Sequence, residues 1–218
     1  MTRAWPVPTD GATVRIVPAN ESSWDDLQAV LGAADYAHHC QCQRQVWADR
    51  LWWSMPFEER ALHLRRQTAA GEPDAPGTSG IVAYLGDEPV GWCEVGPRTR
   101  FRRVRNSPVA WRGRDEDKDD VTVWSAVCFV VRLGYRGRHL TYDLARGAAE
   151  HARSAGARAL EGYPVVTERG RRGDVGRAQR GAPQRVPRGG VPAGEPPDDP
   201  ARGGAARPLT GARVSGPG

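Results

Sequence analysis

The sequence predicts a mixed α/β (α+β) domain followed by a long segment with no fold of its own, and three observations carry that prediction. Val121 to Gly162 (VTVWSAVCFVVRLGYRGRHLTYDLARGAAEHARSAGARALEG) passes from an apolar run to a basic glycine loop, an amphipathic stretch and a second apolar run. That is the pattern of strand, loop, helix, strand. The stretch GIVAYLGDEPVGWCEV places Gly86 to Pro89 between two apolar runs, which reads as a β-hairpin. Composition then breaks at Glu168: from there to Gly218, 12 Gly, 8 Pro, 10 Arg and 7 Ala make up 37 of 51 residues, with one Leu and no aromatic side chain. Such a segment has too little apolar surface to offset the entropy of folding.

Taken in order, Thr13 to Val17 is a short strand closed by Pro18. A helix follows, capped by Ser22 or Ser23, with Asp25 and Asp26 in its first turn and Leu27, Val30 and Leu31 as its buried stripe. His38 to Trp53 (HHCQCQRQVWADRLWW) concentrates two His, two Cys and three Trp. A zinc site needs a second ligand pair, and none lies nearby, so this segment reads as an aromatic, partly buried wall. Pro56 to Ala70 is an amphipathic helix with Phe57, Ala61, Leu62 and Leu64 facing inward. The hairpin strands are Ile81 to Leu85 and Val90 to Val95, and Gly91 beside Trp92 predicts a close approach by another element. Arg98 to Lys118 reads as a long, solvated, polar loop.

Val121 to Val131 is then a strand buried on both faces. In the loop after it, Arg132, Gly134, Tyr135, Arg136, Gly137 and Arg138 let backbone N–H groups converge ahead of a helix whose apolar face is Leu140, Leu144, Ala145, Ala148, Ala149 and Ala152. A glycine loop opening a helix is an anion site.

The net charge of +5 belongs to the tail, where ten Arg meet five acids, while residues 1–167 balance 21 bases against 21 acids. The basic average therefore says nothing about the folded part, and the tail lacks the aromatic residues that stack on bases, which speaks against a nucleic-acid partner. Met1 to Gly11 has no apolar stretch of signal-peptide type, and no later run approaches the ~20 residues of a membrane span, so a cytoplasmic protein without a membrane partner is expected. There Cys40, Cys42, Cys93 and Cys128 are reduced structural thiols. Residues 1–12 are an N-terminal extension, 13–167 the folded domain and 168–218 a disordered tail. Gly, Pro, Ala and Arg are read by codons with G or C in both leading positions, and the body prefers Arg (20) to Lys (1), so the tail reads as an out-of-frame translation beginning near Val165 to Arg169. The other two reading frames test this: one of them should encode an amphipathic helix with strands.

The element order, together with YRGRHLTYDLARGAAEHARSAGARALEGYP, resembles the GNAT superfamily of N-acetyltransferases over residues 13 to 164. That family's loop reads Arg or Gln, two residues, Gly, one residue, Gly or Ala. Here Arg136 matches, while His139 and Thr141 stand at the small positions. The resemblance implies a mixed, largely antiparallel central sheet flanked by helices and acetyl-coenzyme A as co-substrate, with no metal. The pantetheine amides would pair with the backbone of Phe129, Val130 and Val131, and the pyrophosphate would meet the N–H groups of Arg136, Gly137, Arg138, His139, Leu140 and Thr141. At His139 a Cβ replaces the family's Gly and implies crowding or a strained φ unless that φ is negative, whereas Thr141 can cap the helix or donate to phosphate.

The implied mechanism is direct attack by a neutral amine of a small molecule or peptide, with Glu161 as first and Glu94 as second candidate base and Tyr163 as donor to the leaving thiolate. Cys128 lies mid-strand in apolar surroundings that raise a thiol pKa, and is not taken as a nucleophile. Family members continue with a further helix and strands that the tail does not contain, so the sheet is expected to be incomplete at the C-terminus. A catalytically impaired homologue that binds coenzyme A is the alternative, and a metal- or nucleic-acid-binding module the third reading; a homodimer stays open.

Overall fold

Among the described residues, five strands form one sheet in sequence order, β1-β2-β3-β4-β5: β1 Val14–Pro18, β2 Ile81–Leu85, β3 Glu88–Pro97, β4 Val123–Val131 and β5 Ala159–Gly162. The first four run antiparallel and β5 joins β4 in parallel, which is the mixed, largely antiparallel arrangement expected. This computed structural model describes residues 13–164. The N-terminal extension, the 168–218 tail with its out-of-frame reading, and the completeness of the sheet lie outside the described residues.

Seven helices cover the sheet within that range: α1 Trp24–Gly32, α2 Asp35–Cys40, α3 Gln43–Val46, α4 Asp49–Ser54, α5 Phe57–Thr68, α6 Arg102–Arg105 and α7 Leu140–Ser154. Strand alternation divides the apolar residues between two layers. Ile81, Ala83 and Leu85 point to the face covered by Leu140, Leu144, Ala148 and Ala152 of α7, while Val82 and Tyr84 point to the face covered by Leu27, Val30 and Leu31 of α1 and Leu64 of α5. The close approach foreseen at Gly91 is made by α7: a Cβ there would stand 3.1 Å from Leu144 Cδ1. Of the two Ser candidates, Ser23 caps α1, its Oγ accepting the Asp26 N–H at 3.0 Å.

Three expectations need correction. Leu62 of α5 is exposed (46%); the inward stripe is Phe57, Ala61, Leu64 and Thr68, and the Thr68 hydroxyl donates to the Leu64 carbonyl at 2.9 Å, which lets a polar residue lie inside. The Arg98 to Lys118 stretch is not simply solvated, because Phe101, Val104, Ala110 and Trp111 form a small core of their own. β4 is also not buried along its whole length: Val127, Cys128 and Phe129 are half-exposed. Among the described residues no helix is long and apolar enough to cross a membrane, and no group of three or more His, Cys, Asp or Glu is placed to hold a metal ion.

Candidate functional site

The site begins with one extra residue. Across β3 and β4 the register runs Glu94↔Cys128 and then Val95↔Ala126, so Val127 is bulged out of the ladder. A bulge bends its strand and increases the local twist. On its other side β4 pairs with β5 only from Val123↔Ala159 to Ala126↔Gly162, and pairing stops where the bulge begins. Cys128 to Val131 stays paired with β3, and the stretch from Val127 to Val131 has no strand partner on its outer edge among the described residues. An unpaired strand edge inside a fold is a template for an extended ligand that carries amides.

The chain then turns through Leu133–Tyr135 into α7. Arg136 Nε donates to the Val131 carbonyl at 3.2 Å, Gly137 has φ +80°, and His139 takes the left-handed region at φ 61°. The negative-φ escape considered for His139 is therefore not used, and the residue carries backbone strain that Gly would not. His139 also gives α7 no side-chain cap: the Tyr142 N–H of this 15-residue helix donates to the His139 carbonyl at 2.8 Å, while those of Leu140 and Thr141 precede the first intrahelical acceptor. Arg136 and Arg138 are exposed beside them, with the Arg138 guanidinium 5.6 Å from the Tyr135 ring centre. Positive charge and uncapped amides together favour an anion.

Edge and loop enclose a cavity of about 520 Å³. Of the nine residues assigned to the cofactor from sequence, all but Arg138 line it: Phe129, Val130, Val131, Arg136, Gly137, His139, Leu140 and Thr141. The opposite wall went unnoticed in the sequence and is built by the α1–α2 junction and the turn after α2, with Ala34, Tyr36, Ala37, Cys40 and Cys42, while Cys128 lines the cavity from β4. The two cysteines of the HHCQCQ run were the available signal. Burial pushes the Tyr36 phenol up to about 12 and the Cys40 thiol up to about 11.

Glu94 sits opposite Cys128 in the bulge register and is 1% exposed, and neither carboxylate oxygen has a hydrogen-bond partner. Burial first, then the Cys128 sulfur, push its pKa well up, against a pull down from the half-buried Arg100 guanidinium. Glu94 does not itself line the cavity, but its register partner Cys128 does, and a buried, unpartnered carboxyl is costly to structure alone. The expectation of an ordinary raised thiol at Cys128 fails: its interaction with the Cys42 thiol pulls it below the usual range against the effect of burial.

The other two catalytic candidates stand together and away from that wall. Glu161 on β5 is 2% exposed; it accepts from Arg98 Nη1 at 3.0 Å and also from Arg114 Nη2 and the Tyr163 hydroxyl. Arg98 is itself fully buried, its guanidinium 4.6 Å from the Trp111 ring, and Arg114 and Lys118 lie against the same ring at 4.8 and 4.9 Å. Burial first, then the Glu161 charge, raise the Tyr163 phenol, which is thereby kept protonated as a donor to Glu161.

No family model and no curated protein sequence matches the chain. Solved structures with a similar path include the PaiA N-acetyltransferase of Thermoplasma acidophilum in complex with coenzyme A (10% identity, 77% of this chain and 86% of that one, TM-score 0.42). An N-acetyltransferase of Staphylococcus aureus Mu50 shows 15% identity over 78% and 82% of the two chains, TM-score 0.40. A GCN5-related N-acetyltransferase of Kribbella flavida shows 18% identity over 68% and 70%, TM-score 0.40. At these values the functional reading rests on the geometry of this chain.

Proposed function

We propose that this chain is an N-acetyltransferase of GNAT type that moves an acetyl group from acetyl-coenzyme A to a primary amine by direct attack. The observation that carries the proposal is the meeting, around one cavity, of the unpaired β4 edge from Val127 to Val131 and the uncapped start of α7. An extended chain of amides ending in a pyrophosphate fits both features at once. Phe129 to Val131 would pair with the pantetheine amides, and the N–H groups of Arg136 to Thr141 would take the pyrophosphate. Acetyl-coenzyme A supplies an activated thioester; the residues of the chain orient it, exclude water and handle one proton.

Glu94 is the base this geometry favours over Glu161. Two guanidinium groups and a phenol occupy Glu161, whereas both oxygens of Glu94 are unpartnered and burial raises its pKa, making it the more basic carboxylate once ionised. Tyr163 donates to Glu161 and serves that cluster rather than a leaving thiolate. The four unlinked cysteines accord with a cytoplasmic setting, and the acceptor is an amine of a small molecule or peptide.

Calorimetry with acetyl-coenzyme A, followed by release of free coenzyme A thiol against a panel of amines, tests the reading. Stoichiometric binding and amine-dependent thiol release are expected. No binding at millimolar ligand would overturn it, and binding without release for any amine would reduce the chain to a coenzyme A-binding homologue.

A further inference from the structure

The proposed transfer chemistry leaves three cavity thiols unused, Cys40, Cys42 and Cys128, and two of them form a pair. Cys42 follows Gln41 in a turn where both residues are left-handed, at φ 56° and 47°, and this turn packs against β4. Its sulfur accepts the Trp92 Nε1–H at 3.2 Å, and Cys42 and Cys128 pack in one cluster. Both sulfurs line the 520 Å³ cavity, Cys42 from the wall and Cys128 from β4, where it is half-buried and can be reached by a small reagent. Cys42 is 2% exposed and Cys128 more open, so Cys128 is the thiol a reagent meets and Cys42 the one behind it placed to resolve. Their interaction acts in the same sense, shifting Cys128 down and Cys42 up. Of the remaining cysteines, Cys93 faces the α7 layer, and Cys40 lines the cavity but stands outside the cluster that holds Cys42 and Cys128 together.

We infer that Cys42 and Cys128 form a reversible modification site, at which a peroxide entering the cavity joins them in a disulfide that fastens the turn after α2 to β4. In the first step the Cys128 thiolate attacks one peroxide oxygen; an S–O bond forms, the O–O bond breaks and hydroxide leaves, taking up the proton Cys128 had released. The sulfur is oxidised to a sulfenic acid as the peroxide is reduced. Cys42 then attacks the Cys128 sulfur; the S–S bond forms, the S–O bond breaks, and the departing hydroxide leaves as water with the Cys42 proton. Two thiols and one hydrogen peroxide give one disulfide and two waters. Because the wall and the floor of the cavity become covalently joined, oxidation reports directly on the space between them.

The test treats the full chain with one equivalent of hydrogen peroxide and reads intact mass and peptide maps. The expected result is loss of two hydrogens, a Cys42–Cys128 linked peptide, and return to the starting mass with dithiothreitol. The Cys40→Ser, Cys93→Ser double variant should give the same link, and Cys42→Ser should instead leave a sulfenic acid at Cys128 that dimedone traps. A Cys40–Cys128 link, over-oxidation of Cys128 without any link in the unaltered chain, or no reaction would each overturn the inference.

Discussion

Glu94 is where one side chain and the whole pH response meet. Its folded pKa is raised, so between the ordinary carboxylate range and that higher value the folded protein keeps a proton the unfolded chain has released. Stability is therefore fully present below the ordinary range and falls as pH rises through the window. Glu94→Gln removes the ionisation, and the melting temperature of this variant should lose that downward slope while the unaltered chain keeps it. An unchanged slope would assign the titration to another group. In turnover the same variant should lose about 10²-fold or more in rate with acetyl-coenzyme A affinity retained, because a positioned base typically contributes 10² to 10⁴. His139 offers the opposite kind of change. The left-handed conformation costs a residue with a Cβ roughly 1–2 kcal/mol, partly offset in Gly by the greater freedom of its unfolded chain. His139→Gly should thus leave stability within about 1 kcal/mol and tighten coenzyme A binding several-fold by uncovering the amides, as calorimetry would show; weaker binding would mean the imidazole is itself a ligand.

At the scale of elements, α7 fixes how the anion loop meets the sheet. It lies across β1 to β4 and buries Leu140, Leu144, Ala145, Ala148 and Ala152. Its nearest approach is at Gly147, where a Cβ would come within 2.6 Å of Ile16 Cγ2 on β1. Gly147→Ala should then destabilise despite the better helix propensity of Ala, by about 1–3 kcal/mol in urea unfolding, since overpacking outweighs a gain of about 1 kcal/mol. A neutral or stabilising result would mean that α7 can shift outward at no cost. The helix itself was legible because its apolar residues recur at helical spacing, as they do in α1 and α5, while β1, the hairpin and β4 were legible as short apolar runs bounded by turn or loop residues. The short helices α2 to α4 were not legible. They are 4 to 6 residues long, too short for periodicity to register. They are held by tertiary contacts such as Gln43 Nε2 donating to Gln67 Oε1 at 2.9 Å and the Arg60 guanidinium 4.7 Å from the Trp52 ring. With them the cavity's second wall stayed hidden, so the anion-binding half of the candidate site could be read from the sequence while the thiol-lined half could not.

At the scale of the whole molecule, the 98–118 segment shows why charge in a sequence is a poor guide to exposure. Arg98 reads as one more surface arginine, yet it is the fully buried end of an ion pair that ties this segment to Glu161 on β5. The Arg stems and the Trp111 face complete a small core that also receives Val127, the bulged residue of β4. The ion pair thus reaches the cleft: it anchors the segment behind the bulge, and the bulge sets where β4 parts from β5. Arg98→Met should leave Glu161 with only Arg114 and Tyr163 as partners in a desolvated place and cost about 3–5 kcal/mol, whereas the Arg98→Met, Glu161→Leu double variant should recover much of that loss, because apolar residues of similar volume often replace a buried pair without penalty. Hydrogen exchange separates the two consequences. In the single variant, amides from Val127 to Val131 should exchange faster than those of β2, whose residues lie outside the small core of the segment. If exchange rises equally in both strands, the ion pair stabilises the fold as a whole and does not shape the cleft.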